Sequence, residues 1–107
     1  MNAASDQPYQ VELLHSARTR IKQCARTALE LGIGKQWAST LKTILVYLAR
    51  EPLAWGEPVR YFQYAKLHLC QRLYDRVFVR YAVHDEQRVV FLQDCRPVLG
   101  HPLESSD

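Results

Sequence analysis

The chain has 107 residues, 48% hydrophobic and 23% charged, proportions of an ordinary globular domain rather than of a disordered or disulfide-built one. Its longest apolar run, residues 44–49, falls far short of the roughly 18–20 residues of a membrane span, and residues 1–6 carry neither a basic segment nor an apolar stretch, so no membrane association and a cytoplasmic location are expected. The formal charge is +3, but Asp6, Glu104 and Asp107 lie near the ends, leaving 14 basic against 8 acidic residues between Tyr9 and Arg96. That surplus is either a solvated surface or the footprint of a polyanionic or acidic partner.

Residues 1–8 are small and polar and read as a disordered tail ahead of a domain over 9–97. Tyr9–Leu14 alternates like a half-buried strand. Ser16 stands where a helix N-cap is wanted, and Ile21, Cys24, Ala25, Ala28 and Leu31 recur at helical steps over residues 17–31. Gly32-Ile33-Gly34 breaks that helix. A second helix follows over residues 35–50, with Trp37, Leu41, Ile44, Leu45 and Leu48 as its apolar stripe, and Pro52 stops it. Residues 53–58 read as a loop, and 59–64 as either a short strand or an extended connection. Three strands follow, over residues 66–72, 77–83 and 88–93, with turns near Tyr74-Asp75 and at residues 84–87. Residues 98–107 read as a flexible tail. The expected fold is α+β: a strand, a two-helix hairpin and a three-stranded antiparallel meander, the helices packed on one face of the sheet.

Alternation then sorts the strand side chains. With Leu67 and Leu69 assigned to the helix side in one strand and Val77, Val79, Tyr81 and Val83 in the next, the open face collects Lys66, His68, Cys70, Arg72, Arg76, Phe78, Arg80 and Ala82, with Arg96 near its rim. Arginine forks hold phosphates and an aromatic ring stacks bases, so Arg72, Arg76 and Phe78 are candidate RNA-binding residues. RNA cleavage needs a proton carrier and cations for the developing phosphorane charge, and His68, Lys66, Arg80 and Arg96 are the candidate catalytic set. His84, Asp85 and Glu86 read as ordinary turn residues. Cys24, Cys70 and Cys95 form no close pair and His15, His68, His84 and His101 are scattered, so buried reduced thiols are expected, with no metal and no cofactor.

The element order, together with Tyr81, Val83, Asp85 and the Val89-Val90-Phe91 run, resembles the RelE/ParE toxin superfamily of type II toxin–antitoxin, plasmid-stabilisation-like proteins. The resemblance spans about residues 9–96. It implies a bacterial or archaeal toxin-like fold neutralised by a small antitoxin. It places the RelE lysine pair on Lys66 and His68, the arginine of the following strand on Phe78 between Arg76 and Arg80, and the C-terminal arginine near Arg96. RelE-like members cleave mRNA on the ribosome, whereas ParE-like members inhibit DNA gyrase. The resemblance therefore implies a ribosome-dependent endoribonuclease or RNA binder, with a non-catalytic interaction module (a gyrase inhibitor or an adaptor) as the alternative.

Overall fold

A computed structural model describes residues 7–104, so most of the expected N-terminal tail and the last three residues lie outside it. The elements run β1 (Gln10–Leu13), α1 (His15–Glu30), α2 (Gly34–Arg50), α3 (Pro52–Trp55), β2 (Glu57–Phe62), β3 (Leu67–Tyr74), β4 (Val77–His84) and β5 (Val89–Pro97). They form one five-stranded sheet in the order β1-β5-β4-β3-β2, parallel at β1–β5 and antiparallel elsewhere. The α+β layout expected from the sequence is present. The ambiguous segment after the helices supplies the fifth strand, β2.

Local chemistry accounts for the breaks. Gly32 takes φ +75°, the left-handed conformation a glycine reaches at little cost, and the Ile33 N–H donates to Ala28 O at 2.8 Å to finish α1. Ser16 is not the cap of α1. The Leu14 N–H still pairs with Leu92 O at 3.0 Å, so strand pairing runs up to the helix start; Ser16 lies in the first turn, and its hydroxyl donates to Gln93 O at 3.2 Å. Pro52 ends α2 and also opens α3, since its fixed φ suits the first position of a helix. The predicted loop is therefore one helical turn followed by the start of β2. Asp75 and Arg76 both have positive φ, 50° and 59°, the signature of a two-residue hairpin turn between β3 and β4.

The core lies between the helix layer and the sheet. Ala17, Cys24 and Ala28 of α1 and Trp37, Ile44 and Leu48 of α2 meet Val77, Val79, Tyr81, Val83, Val90, Leu92 and Cys95. Residues 98–104, read from the sequence as a loose tail, instead pack on the body. The Val98 N–H donates to Arg76 O at 2.9 Å, Leu103 joins the core, and the His101 ring meets Trp37 edge-on at 6.2 Å. Among the described residues no helix is long and apolar enough to cross a membrane.

Candidate nucleic-acid interface

Register decides which side chains share a face. Cys70 lies opposite Tyr81, Arg72 opposite Val79 and His68 opposite Val83, so these β3 residues point to the helix side. Leu67, Leu69, Gln71 and Leu73 accompany His84, Ala82, Arg80 and Phe78 on the open side. This reverses the phase expected for β3, because the expectation let Leu67 and Leu69 define the buried side. The structure buries Cys70 instead, at 1% exposure against Tyr81. A bulge in β5 continues the sorting. Arg80 faces Asp94 while Tyr81 faces Leu92, leaving Gln93 without a partner; Leu92 and Cys95 thus both reach the core while Asp94 and Arg96 reach the open face.

Three of the seven sequence-derived candidates come together there. Phe78 lies between two guanidinium groups, Arg80 at 5.5 Å and Arg96 at 5.2 Å from the ring centroid. Arg80 Nη2 donates to Gln71 Oε1 at 3.3 Å, and Arg96 Nε pairs with Asp94 at 3.2 Å. Among the described residues Arg80 makes no ion pair, so its charge is the less neutralised of the two. Beside Phe78, at the sheet edge, is a hollow of about 420 Å³ bounded by Gln71 and Leu73 on the open side and by Trp55 and Arg72 from the other.

The other four candidates lie elsewhere. Lys66 sits in the β2–β3 turn, with Nζ 3.1 Å from Glu86. His68 is on the helix side, its ring 4.5 Å from that of Tyr61. Arg72 lies over Trp55 at 5.3 Å and donates to the Trp55 carbonyl at 2.6 Å. Arg76 occupies the β3–β4 turn and donates to Gly100 O. His68 and Arg72 take the helix side by their register with Val83 and Val79, and only Arg72 is seen to meet α3, through Trp55; at that rim a polar side chain keeps one end in water. The expected catalytic set is therefore dispersed.

The sequence reading missed Gln71, Leu73 and Asp94. The alternation of Gln71 and Leu73 with the buried Cys70 was the available signal. Asp94 was hidden by the bulge, which shifts parity by one residue. The imidazole on the open face is His84, four positions along β4 from Arg80, roughly 13 Å away by strand rise. Its Nδ1 accepts the Gln87 N–H at 3.2 Å. The arrangement beside Phe78 supplies cations and a ring, with two carboxylates, Asp94 and, in the lining of the hollow, Glu57, and the ring between two guanidinium groups suits holding phosphates and bases. Burial raises the thiol pKa of Cys24, Cys70 and Cys95, the last to about 12, so none is poised as a nucleophile.

No protein-family model matches the sequence. No curated protein matches it either. Among solved structures, a chain of the toxin–antitoxin complex RelBE2 from Mycobacterium tuberculosis superposes with a TM-score of 0.58 at 22% identity, covering 84% of this chain and 98% of that one. The meander, the helix hairpin on one face and this superposition agree: the chain shares the fold of that chain of the RelBE2 complex.

Proposed function

We propose that the protein is a toxin-like RNA binder that holds single-stranded RNA, presented by the ribosome or free, on its open sheet face. The observation that carries this reading is the Arg80–Phe78–Arg96 ladder. A base stacks on Phe78 or enters the adjoining hollow, and its flanking phosphates meet the two guanidinium forks. The ladder carries binding: two guanidinium groups and a ring hold phosphates and bases, and mapping of mRNA 5′ ends decides whether cleavage accompanies it. A small cognate antitoxin covers it in the cell, a reading supported by the fold match to a toxin–antitoxin complex.

The test is fluorescence anisotropy with a labelled single-stranded RNA, titrated over salt, alongside induced expression with mapping of mRNA 5′ ends. Arg80→Ala and Arg96→Ala each lower the slope of log K against log salt by about 1, and Phe78→Ala weakens binding by about 1–3 kcal/mol. Lys66→Ala and His68→Ala leave binding unchanged. Wild-type binding by Arg80→Ala and Arg96→Ala would overturn the proposal. New 5′ ends within codons would establish cleavage instead.

A second reading, a protein target such as gyrase or an adaptor partner, draws on the apolar part of the same face. Leu69 and Phe91 flank the buried Ala82 on this face, two residues along β4 from Arg80, and Leu73, opposite Phe78, is 62% exposed. Growth arrest with neither RNA binding nor new 5′ ends favours it.

A further inference from the structure

The edge strand β2 carries a second arginine–aromatic pair. The Arg60 guanidinium lies over the Phe62 ring, 5.3 Å from its centroid. A bulge decides where that pair points. Pro58 faces Cys70 and Arg60 faces Leu69, so Val59 drops out of register. Glu57, opposite Gln71, is on the open face, and uninterrupted alternation would send Val59 and Tyr61 there after it. The bulge sends Arg60 and Phe62 instead, opposite Leu69 and Leu67. The bulge in β5 does the same for Arg96. Each of these two register shifts therefore turns an arginine towards the open face, the re-aiming for which bulges are kept beside binding sites.

Both halves of the β2 pair are available to a ligand. Among the described residues Arg60 makes no ion pair, and Phe62 is 41% exposed. Phe62 lies opposite Leu67, which lies opposite His84. Phe78 is six positions along β4 from His84, so the two rings stand roughly 20 Å apart along the strands and roughly 10 Å apart across them. The line joining them runs over Gln71 and Leu69, with Glu57 on one flank and Asp94 on the other. An acidic peptide would pair with the cations but leave the rings unused. The same pair at both ends, a ring with a guanidinium plane, fits a polymer whose repeating unit carries a flat base and a phosphate.

We propose that Arg60 and Phe62 form a second base-and-phosphate station, so that one RNA strand of about four nucleotides or more crosses β4, β3 and β2 and is held at both ends. The proposal rests on the reading of the Arg80–Phe78–Arg96 ladder as an RNA site and adds a minimum length to it.

The experiment uses the full chain with labelled oligouridylates of three and eight nucleotides. Anisotropy reads the octamer, and chemical-shift perturbation of the labelled protein reads the trimer. The octamer spans both stations and is expected to bind at least about ten-fold tighter than the trimer, which reaches one. Arg60→Ala or Phe62→Ala lowers octamer affinity about ten-fold and changes trimer affinity by less than about two-fold, because the ladder remains. Phe78→Ala weakens both lengths. Circular dichroism checks that each variant is folded. Equal affinity for trimer and octamer, or octamer binding unchanged in both β2 variants, would overturn the proposal while leaving the ladder in place. Equal losses for trimer and octamer in the β2 variants would also overturn it, as would growth arrest that needs Arg60 without RNA binding at either length. Wild-type trimer binding by Phe78→Ala and Arg80→Ala would instead remove the ladder reading, so the two failures are distinguishable.

Discussion

The two faces of β4 differ in what they are built from and in what alternation tells about them. On the helix side Val77, Val79, Tyr81 and Val83 have no exposure, and Tyr81 donates its hydroxyl proton to Pro52 O at 2.5 Å beneath α3. On the other side Phe78, Arg80, Ala82 and His84 form a mixed face on which Arg80 and Arg96 flank a ring and Arg96 also pairs with Asp94. One face is organised by exclusion of water and one by charge held at the water boundary. The same kind of substitution should therefore register in stability on the first and in binding on the second.

The sharpest way to break this comparison is to truncate both faces. Tyr81→Ala removes a fully buried ring and orphans the Pro52 carbonyl, so a loss of about 3–5 kcal/mol is expected in denaturant unfolding. Phe78→Ala, on the half-buried open side, should cost far less stability and instead weaken RNA binding. Equal destabilisation by the two would mean the faces do not differ in role. A smaller effect probes how closely α3 covers Tyr81. A methyl group added at Gly56 would overlap the Tyr81 hydroxyl, and Gly56→Ala is expected to cost about 1–3 kcal/mol, relieved in part by Tyr81→Phe in a double-mutant cycle.

Much of the fold was legible because its signals are local. Gly32, Pro52 and the Val-rich β4 each fix a boundary through backbone conformation or alternation. The open face was legible only in part. Parity groups residues within a strand but does not say which group is buried when both contain apolar side chains. In β3 the choice lay between Leu67 with Leu69 and Cys70 with Tyr74. It was settled by the pairing of Cys70 with Tyr81, a contact between residues far apart in sequence. The β5 bulge inverted parity once more for Arg96, which reaches the expected face because Gln93 drops out of register. The docking of residues 98–104 rests on the Trp37 and Arg76 contacts, which no local pattern announces.

That docked segment gives the smallest and most specific test. The His101 pKa is lowered from its ordinary value of 6.5, first by burial and then by the Arg76 guanidinium, with Asp75 opposing. Its neutral ring accepts the Leu103 N–H at Nδ1 and packs on Trp37. The unfolded chain therefore takes up a proton at higher pH than the folded one, and stability is fully present above about pH 6.5 and erodes as pH falls towards the folded pKa. Melting temperature followed from about pH 7.5 down to 5 should decline, and His101→Gln should flatten part of that decline while leaving RNA binding through Arg80 and Arg96 unchanged. An unaltered pH slope in the variant would show that the segment is held by Leu103 and the Arg76–Gly100 contact alone. A simultaneous loss of RNA binding would show instead that the two faces of β4 are coupled near Arg76 and Phe78, and that the open face depends on the segment packed against the other.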